Sequence, residues 1–379
     1  MADRPSTPRS PLTRRRALGV ALGTGAALAG AETFAGSAAG AAPPPGTWTN
    51  VPLPDGTTPH MWAVSAPTRR TAFAIGQHSW APVDVTGVLH WDGRAWRTEP
   101  VPPMRWSWYM DLAAAHPRAA WIVGMGLADQ VPASLYWNGA RWRTAPLPVQ
   151  GATQGWPGVA AEPGGTAWAY VNGPYAVPDA NALLRFERGA WARKPSPIAD
   201  GDIFLAIAVR SPRDVWLGAV PTSGGIAYTM HWNGRAWQRY DIPGSFSLGK
   251  MSLLPISRSS AWGYYAEQLW HWDGTAWSRV GQVPRYGMLP FPYAGSLVSD
   301  GQGGVWLGHL AEATSGRAGY LHWDGATWTT FLGPARTYQG QTVQAQVTDM
   351  APIPGTRSMW AVGYEGTGLR PFIERFDRA

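Results

Sequence analysis

Residues 90–96 read HWDGRAW, and near copies recur: YWNGARW from Tyr136, HWNGRAW from His231, HWDGTAW from His271 and HWDGATW from His322. In each, two tryptophans five residues apart flank an Asp-Gly or Asn-Gly, the strongest short hairpin signal. If residues 92–95 form the loop, Trp91 and Trp96 face each other across two antiparallel strands.

Aligning the chain on this stretch gives first anchors Trp91, Trp137, Phe186, Trp232, Trp272, Trp323 and Phe376. Second anchors follow at Trp96, Trp142, Trp191, Trp237, Trp277 and Trp328. A third set sits upstream in short apolar runs such as AAWIVG and DVWLGA: Phe73, Trp121, Trp168, Trp216, Trp262, Trp306 and Trp360. The period is roughly 40 to 54 residues in seven units, that of a propeller blade. Each unit reads as four strands: a small-residue run such as MDLAAAH, the run with the third anchor, then the two strands of the hairpin.

The chain ends fit together. The last unit stops at Ala379 with no room for its second tryptophan, and GTWTNVPLP near the start carries Trp48 with no strand before it. Placing Trp48 in the seventh unit closes both gaps, whereas an open array would need polar caps at its ends. The expectation is an all-β, seven-bladed β-propeller of four-stranded antiparallel blades over residues 46–379, closed by its N-terminal strand.

On these motifs the chain resembles the seven-bladed propellers of the kelch and Asp-box type. It also looks like Trp-rich VWxxG…HWDGxxW repeat proteins exported by Gram-positive bacteria of high-GC genome. It departs from the Asp-box, in which one residue separates Asp from Gly, and lacks the Gly-His dipeptide of WD40 repeats.

The Asp position reads Asp92, Asn138, Glu187, Asn233, Asp273, Asp324 and Asp377 along the units. A catalytic or metal-binding carboxylate does not survive exchange for an amide, but a turn former does, because Asp and Asn both cap turns. His90, His231, His271 and His322 fall one to a unit, too dispersed to share a metal. Both sets read as scaffold. Aromatic side chains bury about 150–250 Å² each, worth roughly 25 cal/mol per Å², so the repeated rings supply the stability that a chain without cysteine cannot draw from disulfides.

Net charge is +7, of which residues 1–41 hold +3. The rest is thin over the long remainder, with no basic stripe, and no nucleic-acid partner is expected. Arg15-Arg16-Ala17-Leu18, a mildly apolar stretch to about Ala31 and the small residues Ala39-Gly40-Ala41 resemble a twin-arginine export signal. Residues 1–41 are therefore expected to be a signal peptide and 42–45 a proline spacer, with an uncleaved anchor as the alternative. No later stretch is long and apolar enough to span a membrane. The expected protein is a monomer, secreted or held at the cell wall.

Eighteen of the 24 tryptophans occupy repeat positions, so candidate ligand contacts are sought among the other six. Trp62 and Trp270 fall within strands and read as packing. Trp80 is assigned to a loop of unit 1, Trp106 and Trp108 to the crossing into unit 2, and Trp156 to the crossing into unit 3. These connections emerge on one face of a four-stranded meander. With Arg105, Tyr109, Gln154 and Tyr175 they form an aromatic face over blades 1–3 suited to a sugar ring or a peptide; the alternative is that the rings pack under their own loops. Tyr286, Phe291 and Tyr293 form a second, proline-rich group that reads as a self-packed loop.

The expected function is an exported binding module for carbohydrate or an extracellular protein, which includes a scaffold for assembly at the cell surface. The alternative is a glycoside-processing enzyme with Asp111 and Asp349 at the channel mouth, two carboxylates being the minimum for hydrolysis. Asp200 and Asp202 lie near another first strand. The Arg-Ile-Pro motif of sialidases is absent, and a copper oxidase of the kelch type needs a cysteine that the chain lacks. His60, His78, His116 and His309 have no metal-ligand spacing, and no phosphate-cradling glycine loop appears. No cofactor and no metal are expected.

Overall fold

A computed structural model describes residues 46–58, 60–77, 86–104, 106–126, 131–149, 157–174, 181–244, 247–249, 251–284, 296–309, 316–366 and 370–378, with backbone alone at residues 86, 106–109 and 309. The chain divides into two units, Met1–Ala38 and Ala39–Ala379; the first, with residues 39–45 of the second, lies outside the described residues. The expected boundaries of the signal peptide and spacer lie there too.

The second unit is a seven-bladed β-propeller. Seven four-stranded antiparallel sheets start at His60, Trp106, Gly158, Asp202, Ser252, Val298 and Ala345, and their strands follow chain order. The first strand of every blade touches the first strand of the next, and that of blade 7 touches that of blade 1, which closes an inner ring. Blade 7 takes its outermost strand, Gly46–Asn50, from the N-terminal side; it pairs with Arg370–Arg378 and sets Trp48 opposite Phe376.

The repeated hairpins form as the spacing requires. Trp91 pairs with Trp96, Trp137 with Trp142, Phe186 with Trp191, Trp232 with Trp237, Trp272 with Trp277 and Trp323 with Trp328. Asp92 Oδ1 accepts from the backbone N–H groups of Arg94 and Ala95, both at 2.9 Å, and Asn138, Asn233, Asp273 and Asp324 repeat the pattern in their blades. An amide oxygen does this as well as a carboxylate, which is why the two interchange. In blade 3 the loop shrinks to Arg188-Gly189, both at positive φ (53° and 86°), so Glu187 joins the strand pair and is not a turn cap.

Each hairpin pair closes on the second-strand aromatic of the preceding blade. Trp91 and Trp96 lie 5.0 and 5.3 Å from Trp360; Trp272 and Trp277 lie 4.8 and 5.9 Å from Trp216. On its other side that aromatic carries a flat side chain of its own blade. His90 stacks on Phe73, Tyr136 on Trp121, His231 on Trp216, while His271 and His322 tilt over Trp262 and Trp306. Arg185 and Arg375 lay guanidinium groups over Trp168 and Trp360. The four repeated histidines therefore share their role with tyrosine and arginine, which have no common chemistry beyond a planar face.

No helix among the described residues is long and apolar enough to cross a membrane. Among the same residues no cluster of His, Asp and Glu is arranged to hold a metal.

Candidate functional site

Trp80, Arg105, Trp156 and Tyr175 lie outside the described residues, as do Gln154, Tyr286, Phe291 and Tyr293. Trp106, Trp108 and Tyr109 are placed by their backbone, the two tryptophans not in the crossing to which they were assigned. They belong to the first strand of blade 2, Trp106–His116. Trp106 pairs with Gly126 and Met110 with Gly124, so Ser107, Trp108 and Tyr109 together stand opposite Met125 alone. An insertion of this kind bends a strand and re-aims its side chains. The aromatic residues themselves favour extended backbone, which is why strand continues where a loop was expected.

Smaller bulges occur at the matching level of other inner strands: Trp62 in blade 1, Leu205 in blade 4 and Thr348 in blade 7 each interrupt the register of their pair. Where the register breaks, side chains link neighbouring blades. Thr348 Oγ1 donates to Met61 O at 2.7 Å, and Ser65 Oγ accepts from Ala114 N at 3.0 Å.

The two candidate acids take part in this linkage. Asp111 Oδ2 accepts from Val159 N at 3.1 Å, and its Oδ1 accepts from Leu112 N at 3.0 Å. Asp349 Oδ2 accepts from Val64 N at 2.8 Å. Both lie inside their strands, Trp106–His116 and Ala345–Pro352. They sit on blades 2 and 7 with blade 1 between. Asp111 also acts on Tyr170, whose hydroxyl is pushed up first by burial and then by that negative charge. Asp202, which opens the first strand of blade 4, accepts the Tyr228 hydroxyl and is buried.

Three rings gather at the same edge of the inner ring as the bulge in blade 2. His60 and Trp62 come from the start of the first strand of blade 1, and Tyr364 from the end of the second strand of blade 7. Ring centroids are 4.6 Å apart for His60 and Tyr364, 5.8 Å for His60 and Trp62, and 6.2 Å for Trp62 and Tyr364. Tyr364 Oη donates to Gln346 Oε1 at 2.7 Å. Trp62 is half-buried and packs against the cluster that holds Met110 and Leu112, directly after the bulge. Trp62 lies within a strand and packs against the core, as its place in the sequence implied, and its ring also meets His60 and Tyr364. Nothing in the sequence marked Tyr364. The arrangement gives blades 7 and 1 a group of three rings with hydrogen-bonding groups among them, and the backbone of the blade 2 insertion lies at the same edge.

No family model matches the sequence, and no curated protein matches it. Solved structures do match, as folds. One is YCF48 bound to a D1 peptide, at 16% identity and a TM-score of 0.54, over 88% of this chain and 97% of the other. A second is the SapL1 lectin in complex with alpha methyl fucoside, at 12% identity and 0.51, over 74% and 98%. A third is the GH74 xyloglucanase from Xanthomonas campestris, at 17% identity and 0.51, over 84% of this chain and 54% of the enzyme. The chain is a β-propeller like these. At such identities the likeness is one of architecture, on which unrelated functions are built.

Proposed function

We propose that the protein is a carbohydrate-binding propeller whose ligand lies across the aromatic rim of blades 7, 1 and 2. The observation that carries this reading is the insertion of Ser107–Tyr109 into the first strand of blade 2, beside the rings of His60, Trp62 and Tyr364. A bulge of three residues is not needed to build a blade, since the first strand of blade 3, Gly158–Glu162, pairs without one. It brings Trp108 and Tyr109 to the edge where flat rings are already collected. Sugar rings present an apolar C–H face to such surfaces, while their hydroxyls take the polar groups around them.

Support for the ligand class also comes from the fucose-bound lectin and the xyloglucanase among the similar folds. The peptide-bound YCF48 supports the neighbouring reading, an extended polypeptide on the same rim. In the same proposal the chain is exported by the twin-arginine route, acts outside the cell or at its wall, and works as a monomer.

The test is a glycan-array screen of the protein beside its Trp106→Ala/Trp108→Ala variant. Specific retention that the double variant loses supports the reading. A folded wild type that retains no glycan overturns it and turns the search to polypeptide partners. If a retained glycan is also cleaved, Asp111→Asn separates the two roles of that residue: cleavage lost with retention intact makes the carboxylate chemical, and both lost together makes it structural.

A further inference from the structure

The repeat supplies an internal control for every interface between blades. In the third strand, the residue three places before the first anchor faces the next blade, and the residue two places before the anchor faces the preceding one. Two places before the anchor stand Leu89, Leu135, Leu184, Met230, Trp270 and Leu321 in blades 1–6. Val88 shares a core cluster with Leu135, Leu183 with Met230, Leu269 with Leu321 and Ile373 with Leu89. Ser134 and Thr229 accept the indole N–H groups of Trp191 and Trp277 from the next blade. The facing position is thus apolar in six blades. In blade 7 it is Glu374, fully buried, and its partner from blade 6 is Tyr320, whose hydroxyl donates to Glu374 Oε2 at 2.6 Å.

Burying a carboxylate where the fold accepts leucine is costly, and a pair that offsets the charge rarely recovers the whole cost. The offset comes from Arg336, in the crossing between blades 6 and 7 and 7% exposed. Its Nη2 donates to Glu374 Oε1 and to Asn50 Oδ1 (2.6 Å), its Nη1 to Pro334 O (3.1 Å), and its Nε lies 3.2 Å from Glu365 Oε2. Glu365 Oε1 in turn takes Arg370 Nε at 2.8 Å. The guanidinium of Arg336 lies over the Phe372 ring at 4.2 Å. Gly333 leaves room for the carboxylate, since a Cβ there would sit 2.5 Å from Glu374 Oε2.

A cavity of about 460 Å³ opens directly above this network, within the size range of small-molecule sites. Asn50 and Thr337 stand exposed at its edge, Leu53 and Pro371 give it apolar wall, and Arg336 and Glu365 form its floor. It lies on the same face as the aromatic rim, one blade further round.

We propose that this cavity between blades 6 and 7 is a second ligand site, for a neutral ligand rich in hydroxyl groups, of the size of one or two sugar residues. Two arginines and two glutamates balance, so neither a cation nor an anion gains from entering. Every charge in the floor is already paired inside the protein, which fixes the direction of its lone pairs and N–H groups without presenting net charge. Alternating hydroxyl donors and acceptors suit Asn50, Thr337 and Glu365, and a C–H face suits Leu53 and Pro371. The ligand class rests on the carbohydrate reading above; the site itself rests on the break in the repeat and the cavity over it.

The experiment is saturation-transfer NMR on the full chain with methyl glycosides of fucose, glucose, galactose, mannose and N-acetylglucosamine. Two cavity variants are read beside the wild type and Trp106→Ala/Trp108→Ala. Thr337→Trp fills the cavity from its exposed edge and leaves the buried network intact. Arg336→Met/Glu374→Leu gives blade 7 an apolar residue where the other six blades have one, at the cost of leaving the buried Tyr320 hydroxyl without its acceptor, and a thermal melt checks that it folds. Loss of a glycoside signal in both cavity variants, with the signal kept in the tryptophan variant, is the expected result. A signal lost only in the tryptophan variant overturns the second site and leaves the rim standing. Wild-type signals in both cavity variants, or no signal from any glycoside on the folded wild type, overturn it as well.

Discussion

Trp48 and Phe376 lie directly opposite each other across the seam where Gly46–Asn50 meets Arg370–Arg378. Trp48 is buried, stacks on Tyr320 of blade 6 at 3.6 Å between centroids and meets Trp306 edge-on at 6.4 Å. One ring thus joins the seam to the neighbouring blade. Trp48→Ala should lower stability by about 3–5 kcal/mol, the usual cost of emptying a buried tryptophan site. Deleting residues 46–50 should do more, because it also leaves Arg370–Arg378 as an open edge able to pair with another chain. Denaturant unfolding measures the first effect, and size-exclusion chromatography the second.

The turn acids give the protein a specific weakness to acid. The Asp273 carboxyl is held at about 2 by the Thr275 hydroxyl, then by the N–H groups of Ala276 and Thr275. Asp324 is held low by Thr327 N–H foremost, and Asp92 by Ala95 N–H and Arg97. A depressed folded value means that the stabilisation is complete above the unfolded value near 4 and is lost as pH falls through the folded one. Melting temperature should therefore drop between about pH 4 and pH 2. Asp273→Asn, which copies Asn138 and Asn233, should match the wild type at pH 7 and lose less on acidification. An equal loss in both proteins would remove this turn from the account.

A buried cluster in blade 4 should be far less tolerant. Asp214, 1% exposed, lies 2.9 Å from His231 Nε2 and accepts from Trp216 Nε1 at 2.9 Å and Arg210 Nε at 2.6 Å. Burial pushes its carboxyl up, but the bonds from His231 and Arg210 outweigh it and hold the group below the ordinary carboxylate value. Asp214→Ala leaves several buried donors unpaired and should cost about 3 kcal/mol. Blade 3 builds the same corner differently: Glu162 takes Arg185 and the Trp168 indole. There the carboxylate comes from the first strand, where blade 4 has Arg210, so Arg210→Glu with Asp214→Thr and His231→Arg, which copies that corner, should recover part of what Asp214→Ala loses.

What was legible in the sequence is what repeats. The five-residue spacing of Trp91 and Trp96 dictates a hairpin, and seven such pairs with Trp48 as the last member dictate a closed ring. Departures from the repeat were harder to read. The bulge at Ser107–Tyr109 carries no turn residue, so its aromatics passed for a loop. Asp111 and Asp349 looked free for chemistry because Val159 and Val64, the backbone groups they bind, lie 48 and 285 residues away in the chain. Glu374 could have been found: aligned on Phe376, it falls in a column of Leu89, Leu135, Leu184, Met230, Trp270 and Leu321.

One further departure concerns backbone strain. In blade 5 the second and third strands are joined by Ala266-Glu267 alone, between the paired residues Tyr265 and Gln268. Both turn residues take positive φ, 50° and 63°, a conformation that costs an ordinary side chain roughly 1 kcal/mol or more. A two-residue turn of this hand is where Asn-Gly is favoured, as Arg188-Gly189 half achieves in blade 3. Ala266 also packs partly against the core of blades 4 and 5, so its methyl group offsets some of the strain. Replacing the pair by Asn-Gly should nonetheless raise stability by about 1 kcal/mol, read as a shift in denaturation midpoint at unchanged slope. A fall instead would mean that the Ala266 methyl and the Glu267 side chain hold the turn more firmly than its backbone resists.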